Sequence, residues 1–196
     1  MAQPFSRKLS LSDQEFLWLA EEVRAIAAND RDYPKKIRSK NFYMKLSPAL
    51  KKRVHEIVCS ELKLGDLIWN FEVFWAYEAV GMHNDRNYFS DLNERCERGI
   101  IIPIEWRGLP PATKFYDLFF EEKVNWIGDG FATLDKRKIE FDPSHLHSPQ
   151  LLNWQRQSII VFDSRQIHAA SEFAHELGDY KLSINGLGYT KAIGHV

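Results

Sequence analysis

Apolar residues recur at helical spacing in the first third of the chain. Phe16, Leu17, Leu19, Ala20, Val23, Ile26 and Ala27 follow a period near 3.6 residues. Ser12-Asp13-Gln14-Glu15 precedes them, a serine with a glutamate three residues on. In that arrangement each side chain satisfies the other residue's backbone N–H at a helix start. Residues 13–28 are therefore predicted as an amphipathic helix. Ser47-Pro48 is a second start signal, a cap followed by proline at the first helical position. Leu50, Val54, Ile57 and Val58 then predict a helix to about residue 61. Between the two lies the basic stretch Pro34 to Lys40, read as a loop or edge strand.

From residue 66 the pattern changes. Leu67 to Tyr77 is β-branched and aromatic and holds few helix formers. Similar runs follow at Gly99 to Trp106, Thr113 to Phe120, Phe131 to Leu134, Ser158 to Phe162 and Tyr180 to Tyr189. Turn residues separate them: Gly81, Gly108-Leu109-Pro110-Pro111, Gly128-Asp129-Gly130, Asp142-Pro143-Ser144 and Gly178-Asp179. Many short strands without intervening helices predict a sandwich or jelly roll, not a parallel sheet with crossover helices. The expected architecture is α+β and mainly β. Two N-terminal helices pack on an antiparallel double sheet in a single domain over residues 1–196. Residues 1–62 form its helical part and 66–190 its β core.

Composition narrows the class. A chain that is 44% hydrophobic and 27% charged is neither disordered nor collagen-like. The net charge of -1 argues against a whole-surface polyanion binder. Two cysteines cannot build a disulfide framework, so a reducing, cytoplasmic setting is expected. No run approaches the roughly 20 apolar residues of a membrane helix, and the N-terminus lacks the apolar stretch of a signal peptide. The aromatic share of 13% predicts an aromatic core or an aromatic-lined pocket.

Three short places carry chemistry. His83-Asn84-Asp85 follows the Phe74 to Val80 strand and Gly81. On an extended chain an imidazole and a carboxylate two residues apart share one face, a spacing suited to two ligands of one metal. Ser158 to Phe162 is a buried strand running through Asp163-Ser164-Arg165 to a second histidine, His168. Lys181 and Ser183 alternate onto one face of a strand whose other face is apolar. Lys181 is the one Lys or Arg between Arg165 and Lys191. An inward-facing ammonium needs a partner, because an unpaired buried charge is costly.

Taken in order, His-x-Asp, a distal His and Lys-x-Ser resemble the Fe(II)- and 2-oxoglutarate-dependent dioxygenases. Two His and one carboxylate form the facial ligand set of non-haem iron oxygenases. Ile160 to His168 is similar to the family's strand leading to its distal histidine. Ala112-Thr113-Lys114-Phe115-Tyr116-Asp117 resembles the family's Gly-Gly-Glu-Thr-x-Phe strand but lacks both glycines and the glutamate. Tyr77 resembles the strand tyrosine near the cosubstrate, at a shorter spacing to the histidine than usual. The likeness covers residues 67–190.

The resemblance implies a double-stranded β-helix, the jelly roll of cupins, with the metal at one mouth. His83, Asp85 and His168 would hold Fe(II). 2-Oxoglutarate would chelate that iron, its far carboxylate paired with Lys181 and hydrogen-bonded by Ser183. Relatives more often use Arg-x-Ser, so a lysine here exchanges a two-pronged fork for a point charge. O2 would be the oxidant, with succinate and CO2 as co-products. Halogenating relatives carry a small residue where Asp85 stands. Asp85 therefore implies hydroxylation or oxidative demethylation, on a small molecule or protein side chain.

Two other classes share the pattern. A cupin-like metal-binding or isomerising protein would have no use for Lys181. A nucleic-acid-directed demethylase would use the basic cluster Lys35, Lys36, Arg38, Lys40, Lys45, Lys51, Lys52 and Arg53. His145-Leu146-His147 also puts two imidazoles together, but in a proline-flanked loop with no carboxylate in register, which reads as loop packing. Arg86, Arg98 and Arg107 read as surface arginines, and Trp106, Trp126 and Trp154 as core or pocket wall. Substrate choice falls to loops around the mouth, here 86–98, 121–130 and 142–156.

Overall fold

The computed structural model describes residues 3–29, 41–64, 66–85, 95–124, 126–128, 130–134, 137–173, 176 and 178–190. Its elements are β1 (Phe5–Lys8), α1 (Asp13–Asn29), β2 (Asn41–Lys45), α2 (Pro48–Leu62), β3 (Ile68–Ala76), β4 (Arg95–Arg107) and β5 (Ala112–Phe119). They continue with β6 (Trp126–Gly128), β7 (Phe131–Leu134), β8 (Arg137–Glu140), β9 (Gln150–Asn153), β10 (Ser158–Asp163), β11 (Gln166–Ala170) and β12 (Tyr180–Thr190). The basic stretch 34–40, Arg86 and most of the 86–98 loop lie outside the described residues.

Both helices start where their caps direct. The Glu15 amide donates to Ser12 Oγ at 3.2 Å and the Ser12 amide donates to Glu15 Oε2 at 2.9 Å. At α2 the Leu50 amide donates to Ser47 Oγ at 3.2 Å. Each orphan N–H so satisfied is one that the first helical turn cannot pair internally.

Six strands form the main sheet in the order β1-β10-β4-β12-β3-β2. A second sheet has the order β11-β5-β9, and a third β6-β7-β8. All pairs among the described residues are antiparallel. The expected helical part, residues 1–62, holds more than helices. It also supplies β1 and β2, which are the two edge strands of the main sheet. Their brevity and polarity hide them in the sequence: FSRK and NFYMK offer too few residues to show a period.

Alternation along the main-sheet strands sorts residues into two faces. Phe71, Val73, Ile100, Ile102, Ile159, Val161, Leu182 and Ile184 pack with Leu19 and Val23 of α1 and Leu50, Val54 and Ile57 of α2. The opposite face places Ile101, Ile160 and Phe162 against Phe115 of β5 and Trp154. The outer side of the second sheet is closed by a smaller cluster of Tyr116, Val124, Ile127, Ala132, Ile167 and Ala169. The cleft opens between the main sheet and the β11-β5-β9 sheet. Among the described residues no helix is long and apolar enough to cross a membrane.

Candidate metal and diacid site

The segment carrying His83 lies against the free edge of β11. The His83 amide donates to the His168 carbonyl at 3.0 Å, and the His168 amide returns a bond to the His83 carbonyl at 2.9 Å. The Ala170 amide donates to Val80 O at 3.0 Å and the Asp85 amide to Ser164 O at 2.9 Å. This antiparallel pairing brings residues far apart in sequence side by side. The two imidazole rings stand 4.4 Å apart, centroid to centroid.

Asp85 closes the group. Its two carboxylate oxygens lie 3.7 Å from His83 Nε2 and 3.6 Å from His168 Nε2. All three ligand atoms fall within 4.8 Å of one another, and no other such group of three occurs among the described residues. Each histidine is fixed in the same way. His83 Nδ1 lies 2.7 Å from Gly81 O and His168 Nδ1 lies 3.0 Å from Gln166 O. A carbonyl only accepts, so each Nδ1 carries a proton, and in the neutral tautomer the lone pair falls on Nε2. Burial, followed by the nearby His83, pushes the His168 imidazole down to about 4. It is thus neutral near pH 7, the form a metal ligand needs. Two imidazole nitrogens and a carboxyl group on one side of a shared point fit an octahedral ion with open positions.

The backing of this group is polar and well satisfied. Asn84, between His83 and Asp85, points the other way and is buried. Its Nδ2 donates to Glu122 O at 2.9 Å and to Phe120 O at 3.3 Å, and its Oδ1 accepts from the Val124 amide at 2.8 Å. Asn84 thereby fastens the His83–Asp85 segment to loop 120–124. Ser164, which receives the Asp85 amide, sits in the β10–β11 turn. Asp163 braces that turn through Arg165 Nη2 at 2.7 Å and Arg98 Nη1 at 3.4 Å. Burial would raise the Asp163 carboxyl, but the guanidinium of Arg165, with Arg98, holds it below the usual range. On the other flank the Phe162 ring stands 4.6 Å from the His168 ring. A Cβ on Gly99 would come within 2.2 Å of that ring, so only glycine admits it there.

Lys181 is 3% exposed and lines the same cleft. Its Nζ has three aromatic rings around it: Trp154 at 5.0 Å, Phe173 at 5.1 Å and Phe74 at 5.8 Å. It forms no ion pair among the described residues. Burial without a counter-charge pushes the ammonium down to about 7. Ring faces attract a cation but do not replace a carboxylate. A bound anion would supply one. The cleft holds about 800 Å³, counting its open mouth.

The remaining expected residues are placed as follows. Ser183 is fully buried and donates its hydroxyl to Asn185 Oδ1 at 2.8 Å. Asn185 lines the cleft; Ser183 and Tyr77 are not among the lining residues. The Tyr77 ring lies 6.0 Å from that of Trp75. Trp154 does wall the cleft, its indole N–H donating to Thr113 Oγ1 at 3.1 Å. His145 sits in a short 3-10 turn with Nδ1 2.8 Å from Asp117 O, and neither it nor His147 joins a metal group among the described residues. In the described part of the basic cluster, Arg53 is spent on Glu15 at 2.7 Å and Glu56 at 3.2 Å. Sequence reasoning passed over Asn70, Glu72 and Tyr43, which also line the cleft. The alternation of β3 carried that signal for the first two, because Phe71 and Val73 take the opposite face.

No protein-family model matches the sequence, and comparison with curated proteins finds no match. Solved structures do match. The epimerase SnoN, in complex with Fe3+, alpha ketoglutarate and nogalamycin RO, is similar at a TM-score of 0.65 and 13% identity. That match covers 96% of this chain and 79% of SnoN. HygX from Streptomyces hygroscopicus, with nickel and 2-oxoglutarate bound, gives 0.57 and 12%, over 97% of this chain and 83% of HygX. A prolyl-4-hydroxylase from Pseudomonas putida gives 0.51 and 15%, over 96% and 93%. At these identities the likeness is one of fold, and it is a fold used by the oxygenase family that the sequence motifs resemble.

Proposed function

We propose that this chain is a non-haem Fe(II)- and 2-oxoglutarate-dependent dioxygenase. The observation that carries the reading is one cleft holding both the His83, Asp85 and His168 ligand atoms and the buried, unpaired ammonium of Lys181. The main sheet and the β11-β5-β9 sheet serve as the two walls of a double-stranded β-helix. That the similar structures SnoN and HygX were solved with a metal and the 2-oxo diacid supports this choice of cofactor and cosubstrate.

His83 and His168 offer Nε2 lone pairs, their Nδ1 protons held by backbone carbonyls. Asp85 supplies the third ligand and part of the charge that retains a divalent ion. Lys181 holds the far carboxylate of 2-oxoglutarate as a charge-assisted pair, strong because the surrounding rings exclude water. Asn185, its Oδ1 taken by Ser183, keeps its amide N–H groups for the cleft. Bound iron and 2-oxoglutarate supply an O2-driven oxidation of a substrate C–H bond, with succinate and CO2 released. Hydroxylation or oxidative demethylation is the expected outcome, since Asp85 fills the position a halide would need. The decisive assay is succinate formation with Fe(II), ascorbate and 2-oxoglutarate. A folded protein that shows no metal-dependent binding of 2-oxoglutarate would sink the reading.

A further inference from the structure

Glu72 lies on the cleft face of β3, between cross-strand neighbours Lys45 on β2 and Asn185 on β12. Neither neighbour satisfies it. Lys45 is exposed and forms no ion pair with Glu72, and the Asn185 amide, its Oδ1 accepting from Ser183, makes no hydrogen bond to Glu72. Among the described residues Glu72 has no hydrogen bond and no ion pair. Burial raises its carboxyl above the usual range, against the pull of Lys45. A half-buried carboxylate without donors is a standing cost that a bound cation would relieve.

Charge balance points the same way. Among the described residues, the charged side chains lining the cleft are Glu72, Asp85 and Lys181, beside the two imidazoles. With a divalent metal and the 2-oxoglutarate dianion bound, the metal and cosubstrate charges cancel, and so do Asp85 and Lys181. Among the described lining residues, Glu72 is then the uncompensated charge. We infer that Glu72 is a specificity residue that selects a substrate carrying a cationic group, an amine or guanidinium, placed against β3 while its reacting carbon faces the metal ligands. Asn70 and Tyr43, on the same wall, offer further polar contacts to such a group. This inference rests on the dioxygenase reading for the second half of its geometry, but the cation preference itself belongs to Glu72.

The test uses the full chain loaded with Mn(II) and 2-oxoglutarate, titrated with n-butylammonium, n-butanol and n-butyrate. Tryptophan fluorescence reports binding, since Trp154 walls the cleft. The amine should bind about tenfold tighter than the alcohol, and butyrate most weakly. In Glu72→Gln the difference between amine and alcohol should vanish, with 2-oxoglutarate binding not weakened; Glu72→Asp should keep part of it. Equal binding of amine and alcohol, no amine binding, or a preference surviving in Glu72→Gln overturns the inference. If the wild type fails to bind 2-oxoglutarate, the dioxygenase reading falls, and the same comparison with Mn(II) alone still decides the role of Glu72.

Discussion

The two faces of the six-stranded sheet use the same strands for opposite purposes. On β12, Leu182 and Ile184 are fully buried beneath the helices, while Lys181, Ser183 and Asn185 turn to the cleft side. On β3, Phe71 and Val73 join the helix-side core, and Asn70 and Glu72 do not. β10 behaves otherwise: Ile159 and Val161 face the helices, and Ile160 and Phe162 are just as apolar on the cleft side. On the cleft face β3 and β12 carry Asn70, Glu72, Lys181, Ser183 and Asn185, and each of these side chains has an apolar neighbour one residue away anchoring its backbone. Stability and chemistry are separated by a single step along the chain.

Mutations on the two faces should therefore report different things. The largest effect is expected from Asp85→Ala or His168→Ala. Either should abolish metal binding and succinate formation while thermal unfolding stays near wild type; full turnover in both variants would show the ligand assignment to be wrong. Ile184→Ala, on the other face, should cost about 2–5 kcal/mol in denaturant unfolding, from lost burial plus a cavity. Metal affinity of the folded Ile184→Ala fraction should be unaltered, and a large loss there would mean the two faces are coupled.

Lys181→Met should weaken 2-oxoglutarate binding about ten- to a hundredfold, the worth of a hydrogen bond to a charged group, read by calorimetry with Mn(II) present. Without cosubstrate the same change removes a penalty. Lys181 releases its proton near 7 in the folded chain, against 10.5 ordinarily. The unfolded chain then binds more protons between those values, so wild-type stability rises as pH climbs from 7 towards 10.5. That rise should flatten in Lys181→Met, and a rise of equal size in both would place the titrating group elsewhere. Asn84→Ala should lower metal affinity by about 10- to 100-fold without touching a ligand, through loss of the bonds to loop 120–124. An unchanged metal affinity would make Asn84 a loop fastener alone.

Local chemistry made several of these features legible in advance. The Ser12/Glu15 reciprocal cap and the Ser47-Pro48 start fix both helices within one residue of their predicted ends. Runs such as Ser158 to Phe162 and Tyr180 to Tyr189 are strands because β-branched and aromatic residues suit a pleated surface. The order His83, Asp85, His168, Lys181 was visible as a pattern. β1 and β2 were not, because four or five residues cannot display a period and an edge strand is defined by what it pairs with. Nor was the side chain of Asn84, whose three partners lie some 40 residues away.

Sequence alone set which residues are apolar, where helices begin and which side chains could bind a metal, since those depend on neighbours a few bonds or one turn away. Tertiary structure decided that the His83 segment lies along the edge of β11, that the ammonium of Lys181 is enclosed by three rings without a carboxylate, and that Glu72 is left unpaired in the same cavity. Such facts depend on backbone pairing between distant segments and on the water that pairing excludes, and no local period along a chain encodes either.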